Sequence, residues 1–192
     1  ACDTEKSALR TELGMNTAGK IIISVGRFIE SKGFDVLIRS AKNFPADTSV
    51  YIIGGSPTDE YKELIAQNNV SDIHFVDFKP YSQLVKYYRA SDVFVLPTRT
   101  DVWGLVINEA MACGLPVITT DKCVAGVSLI KEDANGSIIP IDDVNKLSDK
   151  VCCWLNKSAD DLYSAGKESI KTIQKYTVEE MAARHLEIIE ML

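Results

Sequence analysis

Six short runs rich in β-branched residues punctuate the chain: IIISV (21–25), VYIIG (50–54), IHFV (73–76), VFVLP (93–97), PVITT (116–120) and GSIIP (136–140). Between them lie GFDVLIRSAKNF, PTDEYKELIAQNN, YSQLVKYYRAS and GLVINEAMACG, each with apolar residues three and four apart, the spacing of a helix that buries one face. Strands that are apolar at successive rather than alternate positions must be covered on both faces. Strands joined through helices run parallel. The pattern predicts an α/β fold, a Rossmann-like, doubly wound parallel sheet of about six strands.

Several boundaries are written in local chemistry. Ser82 is expected to cap the helix over QLVKYYRA, and Thr177 with Glu180 makes the T-x-x-E capping box that opens a last helix. Gly14 and Gly114 stand where helices should end, in the left-handed conformation that costs glycine nothing. Residues 1–20 read as a polar amphipathic segment. The stretch from about 143 to 192 reads as helices packed around the sheet edge, the last carrying an apolar stripe of Val178, Ala182, Leu186 and Ile189. The expectation is one domain over 1–192, with its core at about 20–145.

Composition narrows the function classes. With 46% hydrophobic and 25% charged residues the chain is globular rather than disordered. A net charge of −6, a pI near 5.0 and no basic run exclude a general nucleic-acid binder. The longest apolar runs are far short of a membrane span and no signal pattern opens the chain, so a soluble cytoplasmic protein is expected. The cysteines (Cys2, Cys113, Cys123, Cys152 and Cys153) are odd in number and lack C-x-x-C spacing, which predicts reduced thiols and no metal site. Cys152 and Cys153, in DKVCCWLNK, are expected to act as small hydrophobes on a helix.

In an open doubly wound sheet, ligands bind beyond the carboxyl ends of the strands. Four loops qualify: GRFIESKG, GGSPTD, TRTDVWG and TDKCVAG. The first holds neither G-x-G-x-x-G nor a Walker motif, which disfavours a dinucleotide enzyme. It carries instead Arg27 and Lys32, a planar fork and a point charge suited to a diphosphate; two solvated loop cations is the competing reading. In TRTDVWGLVINEAMACG, a helix beginning near Leu105 offers unpaired backbone N–H groups to an anion. Glu109 stands on an otherwise apolar helix just behind that end, where either a pair of ribose hydroxyls or a local cap or ion pair would satisfy it. His74 and His185 read as structural.

Taken together, SVGRFIESKGFDVLI, YIIGGSP, HFVDFKPYSQLVKYYRASDVFVLPT and DVWGLVINEAMACGLPVIT resemble the C-terminal, donor-binding domain of family 4 glycosyltransferases, retaining enzymes of the GT-B fold. The resemblance implies that Arg27 and Lys32, with Gly26, meet the diphosphate of a nucleotide-sugar, and that the family's E-x7-E acids fall on Asp101 and Glu109. The first would take the donor sugar's hydroxyls and the second the nucleotide ribose. It places the amides of Trp103, Gly104, Leu105 and Val106 near the sugar and distal phosphate, the Gly54-Gly55 turn beside the donor, and backbone groups near Asp77, Phe78 and Lys79 around the base. Two departures stand out: Asp101 where Glu is usual and Trp103 where Phe is usual.

The resemblance further implies one half of a GT-B enzyme, with an N-terminal acceptor-binding domain outside this chain and a last helix that crosses back to it. The parent would transfer a hexose or related sugar from UDP- or GDP-sugar, with retention and without a metal or other cofactor, to a glycan, a lipid-linked sugar or another acceptor. Polysaccharide biosynthesis and a membrane-associated acceptor at the inner membrane face belong to that expectation, as does an inactive isolated chain. Two readings from other classes stand beside it. One is a standalone nucleotide-binding or regulatory module; the other is a response-regulator-like domain, weakened by the lack of an acidic cluster after the first strand.

Overall fold

The computed structural model describes residues 3–70 and 72–191. Its first half runs α1 (Asp3–Leu13), β1 (Lys20–Val25), a 3-10 turn (Glu30–Lys32), α2 (Phe34–Ala41), β2 (Thr48–Ile53), α3 (Asp59–Asn68), β3 (Ile73–Val76) and α4 (Tyr81–Ala90). The second half runs β4 (Val93–Leu96), α5 (Leu105–Ala112), β5 (Val117–Thr120), α6 (Val124–Leu129), β6 (Gly136–Ile139), α7 (Val144–Leu155), α8 (Ala159–Ile173) and α9 (Val178–Glu190). The six strands form one sheet in the order β3-β2-β1-β4-β5-β6, every pair parallel.

Successive strand residues feed opposite faces. Ile21, Ile23 and Val25 of β1 join Phe94, Leu96 and Val117 in a cluster with residues of α4 and α5, including Tyr88, Ile107, Ala110 and Met111. Ile22 joins Val50, Ile52, Val93, Val95 and Ile118 on the other side, with α2, Trp154 of α7 and Leu162 of α8. Both faces are therefore sealed, which is why these strands lack a polar alternation.

At the opposite edge from the strand carboxyl ends, Asp92 is a buried anchor. It accepts from Lys6 Nζ, Arg10 Nη2 and the Ile21 amide, each at 2.8 Å, and so ties α1 to the sheet. Burial alone would push its carboxyl up, but Lys6, the Ile21 amide and Arg10 outweigh burial and hold it below the usual carboxylate range. The polar amphipathic segment expected at the N-terminus is thus a docked helix.

Local expectations divide. Thr177 caps α9 by accepting from the Glu180 amide, and Gly14 and Gly114 take positive φ. Ser82 is not a cap: extended Pro80 precedes the first helical residue, Tyr81, so Ser82 falls inside the first turn. Cys153 is exposed rather than packed, while the half-buried Cys152 thiol donates to the Asn43 carbonyl. Among the described residues all cysteines are free thiols, and Cys2 lies outside that range. His74 is structural, stacked on Tyr51 and bonded to Asp72. Leu186 and Ile189 of the α9 stripe are exposed; the Val178 side chain is outside the described residues. Among the described residues no helix is long and apolar enough to cross a membrane.

Candidate functional site

The strand order reverses between β1 and β4, so the loops after these strands face each other across the crevice where doubly wound sheets take ligands. They are the loops that carry Arg27 and Lys32, and Asp101. Two hydrogen bonds to one main-chain carbonyl lock them together. The Arg99 amide and the Thr98 hydroxyl both donate to the Ser31 carbonyl, at 2.7 Å each. Gly33 closes the β1 loop with φ 66°, and an added Cβ would lie 2.0 Å from the Pro97 carbonyl oxygen, so only glycine fits this close approach.

Lys32 Nζ bonds Asp101 Oδ2 at 2.6 Å, with both side chains mostly buried. The two residues expected to meet different parts of one ligand therefore meet each other. Its methylenes run over Gly26, where an added Cβ would touch them at 3.4 Å. Arg27, by contrast, is exposed, with no ion-pair partner among the described residues. Lys32 is pre-placed and neutralised; Arg27 is an uncommitted cation.

Arg99 is a site element that reading the sequence missed. Its guanidinium grips both carboxylate oxygens of Asp35 at 2.9 and 2.8 Å, Asp142 at 2.7 Å and the Glu30 carbonyl at 2.6 Å. One planar fork thus joins the loops after β1, β4 and β6. The Asp35 hydrogen bonds, before any other cause, raise the Arg99 pKa; Asp35 is held below the usual carboxylate range because Arg99 overcomes the upward push of burial. Only its place in a polar loop, two residues before Asp101, hinted at this role.

The helix α5 starts where the sequence placed it. Gly104, at φ 93°, precedes it, and no side chain caps it. Its first amides, at Leu105 and Val106, are therefore open to an anion. An added Cβ at Gly104 would sit 2.7 Å from Cys123 Sγ. The loop after β5 supports this turn from behind, through the Ala125 amide to the Trp103 carbonyl and the Asp101 amide to Lys122. The expected fourth ligand loop is thus a brace. Burial raises the Cys123 thiol, and that of Cys113 to about 11, which leaves neither poised as a nucleophile.

Glu109 lies in the second turn of α5, half-buried, and accepts from the Tyr88 hydroxyl at 2.9 Å. The loops after β2 and β3 form the next wall: Gly54 donates to Val76 and the Ser56 hydroxyl meets Asp77 at 3.4 Å. Phe78 is 76% exposed beside half-buried Lys79, leaving its ring open to a planar group. Trp103 turns elsewhere. Its indole donates to Asn108 and lies 6.2 Å from Tyr176, along a groove of about 480 Å³ also lined by Leu105, Lys175 and Arg184. Among the described residues no cluster could hold a metal ion.

Known proteins match this chain over most of its length. The profile of the family described as "Glycosyl transferases group 1" matches residues 5–171. A D-inositol 3-phosphate glycosyltransferase of Xylanimonas cellulosilytica is 33% identical over 144 residues, 71% of this chain and 34% of that protein. The protein of the same name in Mycolicibacterium smegmatis is 30% identical over 171 residues, 85% of this chain and 39% of that one. Sucrose-phosphate synthase from Thermosynechococcus elongatus superposes with a TM-score of 0.86 at 26% identity, over 96% of this chain and 48% of that chain. Anabaena HepE in complex with UDP-glucose shares the fold at a TM-score of 0.86 and 18% identity, over 100% of this chain and 54% of its own. The chain spans about a third of the length of the first curated relatives it matches. With the profile covering residues 5–171, this chain belongs to the glycosyl transferases group 1 family.

Proposed function

We propose that this chain is the donor-binding half of a retaining, family 4 glycosyltransferase, whose parent moves a hexose or related sugar from a UDP- or GDP-sugar to a glycan, lipid-linked or other acceptor. The observation that carries the reading is the switch-point crevice. Arg27, Lys32 and Asp101 lie there on the loops after β1 and β4, which are bonded to each other, and the uncapped N-terminus of α5 follows with Glu109 in its second turn. UDP-glucose, the ligand in the HepE complex, is a donor of the required class.

The chemical task is to stabilise the charge that gathers on the departing diphosphate as an oxocarbenium-like sugar forms. Arg27 and Lys32 supply positive charge to the phosphates, and the Trp103, Gly104, Leu105 and Val106 amides supply dipoles. Gly26, Gly54 and Gly55 let the backbone come close. Asp101 takes donor-sugar hydroxyls, Glu109 takes the ribose, and the Phe78–Lys79 backbone borders the base. With these cations at the diphosphate, the proposed site needs no metal or cofactor. Asp101, a methylene shorter than the family's Glu and tied to Lys32, acts on the sugar once a phosphate shares the Lys32 ammonium with it.

An acceptor-binding domain elsewhere in the parent chain closes over the donor and completes the site. A cytoplasmic parent with an acceptor at the membrane's inner face, in polysaccharide biosynthesis, fits this reading. The present chain alone binds nucleotide and transfers little. Calorimetry with UDP and GDP on the wild type, Arg27→Ala and Glu109→Ala tests it. The wild type should bind at least one of the two, and each variant should bind about tenfold or more weakly, the worth of a lost charge-assisted hydrogen bond. Equal binding by all three proteins, or by none, rejects the site.

A further inference from the structure

Among the described residues, the one hydrogen bond to the Glu109 carboxylate comes from Tyr88, at 2.9 Å on Oε2. Tyr88 is fully buried, its ring 5.9 Å from Phe94 within the cluster that includes Ala110 and Met111. Such a ring has no room to swing, so its hydroxyl is a fixed point. The helices α4 and α5 both return against the direction of the parallel strands, so both begin at the carboxyl edge of the sheet. Helical side chains lean toward their own N-terminus. Tyr88 and Glu109 therefore both lean toward the ligand edge.

A buried phenol needs an acceptor, and a main-chain carbonyl would serve as well as any. Here the acceptor is a half-buried carboxylate. A carboxylate accepts about four hydrogen bonds, two at each oxygen. Tyr88 takes one on Oε2, so Oε1 keeps its full capacity for the two donors of a vicinal diol. Burial, reinforced by Glu109 itself, raises the Tyr88 pKa far above the ordinary phenol range, so the hydroxyl remains a donor.

Resting on the assignment of Glu109 to the ribose, we propose that Tyr88 is a positioning residue for nucleotide recognition. It fixes the Glu109 carboxylate in one rotamer with Oε1 presented, and discrimination between ribo- and deoxyribonucleotides depends on it. Without the hydroxyl, Glu109 samples other rotamers and the advantage of a second ribose hydroxyl disappears.

The test is calorimetry on the full chain with UDP and GDP and with their 2′-deoxy counterparts. Wild type should favour the ribonucleotide by about tenfold or more, the worth of one hydrogen bond to a charged group. Tyr88→Phe keeps the ring and should bring that preference to within about threefold, through weaker ribonucleotide binding with little change for the deoxy form. A merely structural role would lower the melting temperature and weaken both nucleotides in proportion; an unchanged ratio overturns the proposal. Glu109→Asp withdraws the carboxylate from the Tyr88 hydroxyl while keeping its charge, and covers the case in which Tyr88→Phe fails to fold. It should compress the ratio similarly, and a wild-type ratio there also overturns the proposal. If Glu109→Ala keeps the wild-type ratio, the ribose assignment itself fails. If Glu109→Ala loses the ratio while Tyr88→Phe retains it, only the role of Tyr88 falls.

Discussion

Replacing Asp101 with Asn separates its hold on Lys32 from the part proposed for it at the donor sugar. Its carboxylate holds Lys32 at 2.6 Å. A phosphate oxygen taken by the same ammonium stands about 5 Å or less from the carboxylate, since two hydrogen-bond lengths share one nitrogen. Two negative charges at that separation repel by roughly 1 kcal/mol in a water-like dielectric and about 3 kcal/mol at the effective dielectric of a protein surface. Asparagine removes this repulsion, though it also loosens the hold on Lys32, so the lower figure governs. A nucleoside diphosphate should bind Asp101→Asn about fivefold tighter than wild type, a gain that shrinks as salt rises. A nucleotide-sugar should gain less or lose, because its hydroxyls forfeit a charged acceptor worth about 1.5–3 kcal/mol. Calorimetry with UDP and UDP-glucose, or GDP and its sugars, at low and moderate ionic strength reads both effects. Weaker nucleoside diphosphate binding would mean that Asp101 holds Lys32 in place rather than competing for it. An equal gain for diphosphate and nucleotide-sugar would remove Asp101 from the sugar.

Three further outcomes follow from the packing. Asp92→Asn leaves the buried Arg10 and the largely buried Lys6 facing a neutral amide and should cost about 3 kcal/mol in urea unfolding at neutral pH. The folded pKa of Asp92 is depressed, so its contribution is present above the unfolded value of about 3.9 and is lost as pH falls through the lower folded value. The gap between wild type and variant should therefore close below about pH 4, and a gap constant down to pH 2 contradicts the assignment. Gly33→Ala forces a side chain into positive φ, with its Cβ 2.0 Å from the Pro97 carbonyl. It should lose about 2–4 kcal/mol of stability and weaken nucleotide binding together. Arg99→Ala undoes the grip on Asp35, Asp142 and the Glu30 carbonyl, and should cost about 2 kcal/mol in thermal unfolding. It should also weaken diphosphate binding by about tenfold through misplacing Lys32, and Arg99→Lys should not restore either property because it lacks the fork.

Much of the fold was legible because it depends on local patterns. IIISV, VFVLP and PVITT are apolar on both faces, so they could only be covered strands of a parallel sheet. The end of α1 at Gly14 and the start of α9 at Thr177 were written in single residues. The start of α4 was misplaced by a serine within reach of the right position, because a proline with fixed φ decides that boundary without a side-chain cap. The exposure of Cys153 was equally hidden, since helix periodicity says which residues share a face but not where the covered sector ends.

The sequence by itself determined the layered α/β fold, the strand runs and the match to the glycosyl transferases group 1 family, because these rest on periodicity, caps and residue order. Only the tertiary structure decided the pairs. It set Lys32 against Asp101, 69 residues apart in sequence, Tyr88 against Glu109, Arg10 against Asp92, and Arg99 across three loops. No local signal encodes such contacts, since they arise where the order of parallel strands brings distant loops to one edge. That order, with β1 beside β4, brought separate charges to one edge of the sheet.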